Sequence, residues 1–238
     1  MRINRYLAEC GLASRRKCEN IILSGEVAVN GKTVTDLATQ VGYGDNVTVG
    51  GKKVTPPRKH VYLLVNKPKG CVTTVSDDKG RKTVMDIVRA DYPDVRLFPV
   101  GRLDYDTEGM LILTTDGDLC NRLTHPASEI KKVYSARVEG EVSENDLARI
   151  RNGVEIDGKK TKKCSAHIVR YDGKTRQTTV EIAISEGMNR EVRKMFEAIG
   201  KNVVFLKRVA IGDLRMHGVD RGSYRKLSAD EVEYLKNV

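Results

Sequence analysis

The chain is poor in the features that would hold it together or anchor it by means other than a hydrophobic core. Its five cysteines, Cys10, Cys18, Cys71, Cys120 and Cys164, are odd in number, scattered and never spaced Cys-x-x-Cys. That pattern argues against a disulfide framework and for reduced, mostly buried thiols. The four histidines, His60, His125, His167 and His217, form no i,i+4 pair and have no cysteine at ligand spacing, so no metal site is expected. Long apolar runs are missing too. Val61-Tyr62-Leu63-Leu64-Val65 is far too short to span a bilayer, and the charged start Met1-Arg2-Ile3-Asn4-Arg5 lacks the apolar stretch of a signal peptide. A cytoplasmic protein without membrane contact is the expectation.

What is present is charge of both signs with a basic excess. Lys and Arg number 42 against 32 Asp and Glu, a net charge of +10 on 238 residues. An extended polyanion, nucleic acid first, is the natural partner for such a surface. With 39% hydrophobic and 31% charged residues the composition is that of a folded protein, and the length suits one large domain or two small ones.

Thr55-Pro56-Pro57-Arg58-Lys59-His60 reads as a linker, because consecutive prolines stiffen the backbone and remove two amide donors. The expected division is residues 1–60, a binding module and linker, and residues 61–238, a larger domain. Residues 1–60 hold ten basic and five acidic side chains, half the net charge in a quarter of the chain. Ile3, Tyr6, Leu7 and Cys10 have helical spacing, and Ser14 is placed to cap a second helix with Cys18, Ile21 and Ile22 on its apolar side and Gly25 as its stop. Asn30-Gly31 between valines predicts a hairpin, and Val47 and Val49 another strand. Arg15, Arg16 and Lys17 oppose the dipole of the second helix, which stability alone would not select. A phosphate at that terminus would reverse the balance, although a plain solvated basic face accounts equally for three such residues.

Beyond residue 61 strands and helices mix. Val180, Ile182 and Ile184 alternate as a half-buried strand, and Val192, Met195, Phe196 and Ile199 make a helical stripe before Gly200. Ser143-Glu144-Asn145-Asp146 and Ser228-Ala229-Asp230-Glu231 have capping-box spacing, while Asp157-Gly158 and Asp172-Gly173 mark turns. The fold class predicted is α+β with a largely antiparallel sheet.

The chemistry is expected in Gly101-Arg102-Leu103-Asp104-Tyr105-Asp106-Thr107-Glu108-Gly109, which sets acids and an arginine between glycines beside an apolar run. If residues 102–104 are extended, Arg102 and Asp104 project to one side and Leu103 to the core. A polar loop in which Asp104 and Asp106 only cap turns is the plainer reading. Asp104-Tyr105-Asp106-Thr107 also comes near the short Asp-x-Asp-x-Thr motif of haloacid-dehalogenase-type phosphatases, with its threonine one place early. That chemistry wants a long apolar strand before the first aspartate, where this chain has Pro99, Gly101 and Arg102, and a magnesium site with a downstream acidic pair.

Four motifs in order give a more specific result. The chain closely resembles the bacterial ribosomal-RNA pseudouridine synthases over nearly its whole length. Arg2-Ile3-Asn4-Arg5-Tyr6-Leu7, Gly11-Leu12-Ala13-Ser14-Arg15-Arg16 and Gly25-Glu26-Val27-Ala28-Val29-Asn30-Gly31 resemble the alpha-L RNA-binding module. Leu64-Val65-Asn66-Lys67-Pro68-Lys69-Gly70, Gly101-Arg102-Leu103-Asp104, Lys132-Val133-Tyr134 and Glu186-Gly187-Met188-Asn189-Arg190-Glu191-Val192-Arg193-Lys194-Met195 match the catalytic part. The resemblance implies that Asp104 is catalytic, that Tyr134 lies against the uracil, that Arg193 pairs with Asp104, and that Arg102 helps to hold the flipped nucleotide. It also implies RNA contacts by Arg5, Arg15, Arg16, Lys17, Asn189 and Arg190. Met188 stands where members commonly carry arginine, and Tyr105 and Met110 also depart from the commonest residues.

The implied reaction breaks N1–C1′ of a uridine, turns the base and joins C5 to C1′. No group is gained and nothing is oxidised, so no cofactor is demanded. An ionised carboxylate suffices, as nucleophile, base or electrostatic stabiliser, and a nearby guanidinium would keep it ionised. A uridine inside folded RNA must leave its stack, and Tyr134 offers a flat surface to receive it, although tyrosine is also common strand filler. His125-Pro126 and Asp104-Tyr105-Asp106-Thr107 look most like the branch acting on large-subunit rRNA. The expected partner is therefore 23S rRNA or a large-subunit assembly intermediate, bound by a monomer. A small-subunit enzyme and a catalytically silent rRNA-binding assembly factor are the alternatives.

Overall fold

The computed structural model describes residues 1–42 and 44–238. Two compact units make up the chain, Met1–Val61 with the short segments Pro93–Leu97 and Thr115–Gly117, and Tyr62–Tyr92, Phe98–Thr114 and Asp118–Val238.

In the first unit, helices α1 (Ile3–Glu9) and α2 (Arg15–Leu23) precede a four-stranded sheet of β1 (Val27–Val29), β2 (Lys32–Thr33), β3 (Val47–Val49) and β4 (Lys52–Lys53), ordered β2-β1-β3-β4. Ser14 caps α2 as its spacing predicts, accepting a hydrogen bond from the Lys17 amide. Asn30 and Gly31 both take positive φ, +51° and +79°, the conformation a two-residue hairpin needs. Ile3, Leu7, Cys18, Ile22, Val27 and Val47 meet in a small core and are each fully buried.

The second unit is built on a nine-stranded sheet. Its strands are β5 (Tyr62–Lys67), β6 (Phe98–Val100), β7 (Glu108–Thr114), β8 (Lys132–Glu139), β11 (Ser165–Asp172), β12 (Gln177–Ile184), β13 (Val203–Ile211), β14 (Leu214–Arg215) and β15 (Tyr224–Lys226). The order is β11-β12-β8-β13-β7-β5-β15, with β14 beside β13 and β6 beside β7. A separate two-stranded ribbon joins β9 (Glu155–Ile156) to β10 (Lys159–Lys160). The pairings are antiparallel except between β13 and β7, in agreement with an α+β fold.

Helices α3 (Gly117–Thr124), α4 (Glu144–Arg151), α5 (Glu191–Glu197) and α6 (Ala229–Asn237) complete this unit. Both capping boxes form, at Ser143 with Asp146 and Ser228 with Glu231. The predicted Val192 to Ile199 stripe is buried, but α5 ends at Glu197, so Ile199 packs from the turn that follows. α4 and α5 share a core with β11, β12, β8 and β13, and α3 and α6 share another with β5, β6 and β7. None of the five cysteines is joined in a disulfide among the described residues, but only Cys18 and Cys71 are fully buried; Cys10, Cys120 and Cys164 are half-buried.

One row of residues runs across the centre of the sheet. Lys67 on β5 pairs with Gly109 on β7, Gly109 with Arg208 on β13, and Arg208 with Tyr134 on β8. Gly109 has φ +106°, and a Cβ there would stand 2.2 Å from the Arg208 carbonyl oxygen and 2.8 Å from its amide nitrogen. Only glycine admits the β13 backbone so closely. Gly109→Ala is expected to lower the unfolding free energy by about 3 kcal/mol or more, read from the urea midpoint; a variant as stable as its parent would contradict this packing.

Candidate active site

Asp104 lies in the loop between β6 and β7. Residues 102–104 are not a strand; Leu103 is held by its amide and carbonyl, both bonded to the Thr73 hydroxyl, and its side chain is buried at 5% exposure. Arg102 is exposed and Asp104 half-buried. A turn follows, closed by the Thr107 amide donating to the Asp104 carbonyl at 3.1 Å. Asp104 thus closes a turn through its backbone, leaving its carboxylate without a hydrogen bond or ion pair to any described residue.

The turn is tied down from beneath by Lys67, a side chain with 0% exposure. Its ammonium donates to the carbonyls of Thr107 at 2.8 Å, Asp104 at 2.9 Å and Pro68 at 3.2 Å. Burial pushes the Lys67 pKa below its ordinary value, while the three carbonyls satisfy all three of its protons.

Asp104 and Arg102 line a cavity of about 660 Å³ together with Tyr134, Asn189, Arg190 and Glu191, a size within the roughly 300–1,000 Å³ of small-molecule clefts. β8 presents Tyr134 into it from the same face as Lys132, by the two-residue period of a strand. The structure therefore brings Asp104, Tyr134, Arg102, Asn189 and Arg190 to one place.

Arg193 is arranged differently from the expectation. Its ion pair is with Asp106, at 3.3 Å, rather than with Asp104, and it also donates to the carbonyls of Asp106 at 3.2 Å and Val203 at 2.7 Å. One turn of α5 separates Arg193 from Arg190, whose guanidinium grips the same Asp106 carboxylate through two bonds of 3.1 Å. Arg190, expected only as an RNA contact, is thus also a partner of the acid two residues past Asp104, and it holds a left-handed backbone, φ +54°. Burial would raise the Asp106 pKa, but the Arg190 bonds and the charges of Arg193 and Arg190 outweigh it and hold the carboxyl below its ordinary range.

The first unit carries the remaining residues. Arg15, Arg16 and Lys17 are exposed in the opening turn of α2. Arg5 lies on α1 and pairs with Glu9 at 2.7 Å, an i,i+4 contact.

Lys67, Lys132, Glu191 and Arg208 carry no role legible in the sequence, and Asp106 only that of a turn cap. Lys67 sat inside a quoted motif, but a lysine after an apolar strand ordinarily sends its charge to solvent. Two of its three partners, the Asp104 and Thr107 carbonyls, lie about forty residues on, beyond the reach of local spacing.

Comparison with known proteins defines the class. The RNA pseudouridylate synthase family matches residues 61–198 and the S4 domain residues 1–47. A ribosomal large subunit pseudouridine synthase B of Bacillus subtilis (strain 168) is 42% identical over 99% of this chain and 95% of its own. An RNA pseudouridine synthase of Aquifex aeolicus (strain VF5) is 44% identical over 99% and 93%. A crystal structure of a pseudouridylate synthase superposes with a TM-score of 0.71 at 31% identity, covering 99% of both chains. The chain belongs to the RNA pseudouridylate synthase family. It is a pseudouridine synthase that carries an S4 domain ahead of its catalytic region.

Proposed function

We propose that this enzyme isomerises a uridine of large-subunit ribosomal RNA, in the cytoplasm and as a monomer, with Asp104 as the catalytic group. The observation that supports the reading is a half-buried carboxylate without a hydrogen-bond or ion-pair partner among the described residues, sharing one cavity with Tyr134 and Arg102. The uridine leaves its stack, its base rests on Tyr134, and its ribose C1′ comes to Asp104. The carboxylate meets the positive charge that develops on the sugar as N1–C1′ breaks, by attack, by proton removal or by charge stabilisation. Arg102 fills or braces the gap left by the base. Arg193 and Arg190 act through Asp106: they fix the second acid of the turn, so the first is not drawn away from the cavity. Asn189 and the outer face of Arg190 are then open to RNA phosphates.

The large-subunit assignment is supported by the B. subtilis relative, which is named for that subunit and aligns end to end. In the S4 domain, Arg15, Arg16 and Lys17 surround the free amides of a helix start and are assigned to phosphate. Arg5, already paired with Glu9, is assigned a weaker share.

Purified enzyme is expected to release tritium from rRNA labelled at uridine C5 in the presence of a metal chelator. Mapping of pseudouridines in cells lacking the gene is expected to show one position missing from large-subunit rRNA. A position missing from small-subunit rRNA would transfer the substrate, and complete maps of both would overturn the ribosomal reading.

Replacing Arg15, Arg16 and Lys17 by glutamine is expected to weaken RNA binding and to flatten the slope of log affinity against log salt by about 2, as fewer counterions are released. An unchanged slope would return these residues to solvated surface.

A further inference from the structure

Among the ionisable side chains that line the Asp104 cavity without a part in the attack on the sugar, beside His125, Lys159, Lys162 and Glu186, are Glu191, Lys132 and Arg208. Glu191, the first residue of α5, is 4% exposed. Its Oε2 accepts from the Met188 amide at 2.9 Å, and Oε1 has no hydrogen bond among the described residues. Lys132, at the start of β8, is half-buried and forms neither a hydrogen bond nor an ion pair with a described residue. Arg208, also 4% exposed, donates from Nε to the Met110 carbonyl at 2.8 Å, while its buried Nη2 has no partner among the described residues. Buried polar groups left unmatched are costly and are normally satisfied. Arg208 Nη2 is such a group; Glu191 Oε1 and Lys132 Nζ are not sealed from solvent but likewise have no partner among the described residues, so one acceptor and two donors are open around one cavity.

The polar edge of uracil carries two carbonyl acceptors, O2 and O4, either side of one donor, N3–H. Cytosine reverses this at N3 and C4, with an acceptor and an amino group. Joining C5 in place of N1 to C1′ amounts to a half-turn of the ring about its N3–C6 axis. That turn exchanges O2 with O4 and leaves N3–H where it was. A fixed acceptor for N3–H and donors for the two carbonyls therefore serve the base before and after the turn.

We propose that Glu191 accepts the N3–H of the flipped uracil through Oε1 while Lys132 and Arg208 donate to its two carbonyls. This trio selects uracil over cytosine and holds the base through its rotation. The assignment rests on the reading that this cavity receives a flipped uridine.

The electrostatics agree. Burial pushes the Glu191 carboxyl up to about 7, against the pull of the Met188 amide, with Glu186 raising it and Lys132 lowering it. The Cys164 thiol also lies in its field, and Arg208 joins burial in depressing Lys132. Above pH 7 Glu191 is ionised and offers only acceptors; below it Oε1 can carry a proton and turn donor. The folded chain keeps this proton to about pH 7, whereas an unfolded glutamate releases it near its ordinary value of 4.5. The group's contribution to stability is thus fully present below 4.5 and lost as pH rises to 7. Glu191→Gln removes that loss and is expected to fold at neutral pH. Its side-chain oxygen stays on the Met188 amide, so its nitrogen faces the cavity as a donor.

The test uses RNA hairpins containing the mapped target site, with uridine, cytidine, N3-methyluridine or an abasic sugar at the target position. Affinities are measured at pH 8 with full-length Asp104→Asn enzyme, which prevents turnover. With Glu191 present, uridine is expected to bind about 30-fold or more tightly than cytidine or N3-methyluridine, the worth of a charge-assisted bond. This preference should shrink below pH 7. Adding Glu191→Gln should bring uridine and cytidine within about threefold, and adding Lys132→Met should weaken uridine but not abasic RNA. An undiminished uridine preference in the Glu191→Gln enzyme would overturn the trio. Uridine binding no better than abasic RNA would instead remove the flipped-base reading and the trio with it.

Discussion

A buried ammonium holding the backbone of one turn is the constraint on which the site depends. Lys67 has no exposed surface and spends all three protons on carbonyls, two of them belonging to the Asp104–Thr107 turn. A loop fixed by its main chain leaves its side chains uncommitted. The charge of Lys67 is answered by carbonyl dipoles, so no carboxylate is consumed in neutralising it. That is the condition under which Asp104 can face a cavity with its oxygens unengaged.

The two acids of the turn divide the work. Asp106 is saturated by Arg190 and Arg193 and joins the loop to the start of α5. The Asp104 carboxylate, two residues earlier, has no partner among the described residues. Had Arg193 paired with Asp104 directly, the unliganded site would already hold the contact that a developing sugar cation is meant to replace. The arrangement found keeps the guanidinium charge nearby without occupying the carboxylate. It also explains why a glycine follows so closely: Gly109 lets β7 pass against Arg208, and that row of the sheet carries on to Tyr134 on β8.

Much of this was legible in local pattern. The Ser14 cap, the Asn30-Gly31 hairpin, both capping boxes and the alternation of Val180, Ile182 and Ile184 depend on neighbours within a few residues, and each formed. Asp104, Tyr134 and Arg102 were legible through motifs, and they line one cavity. The parts that escaped depend on distant partners. Nothing near Lys67 in sequence announces a turn at 104–107, and nothing near Arg193 distinguishes Asp104 from Asp106 as its mate. Glu191 and Arg208 read locally as an ordinary helix-start acid and a strand arginine; only the stacking of β8, β13 and α5 around the cavity gives them a shared role.

In the proposed reaction the Asp104 carboxylate is free for chemistry and carries no structural duty. Asp104→Asn preserves shape and removes only the ionised oxygen, so the most direct measurement is its single-turnover rate on the target rRNA beside its RNA affinity and melting temperature. The account predicts a rate lower by about three orders of magnitude or more, with affinity and melting temperature unchanged. Turnover at the parent rate, or a loss fully explained by unfolding, would contradict it.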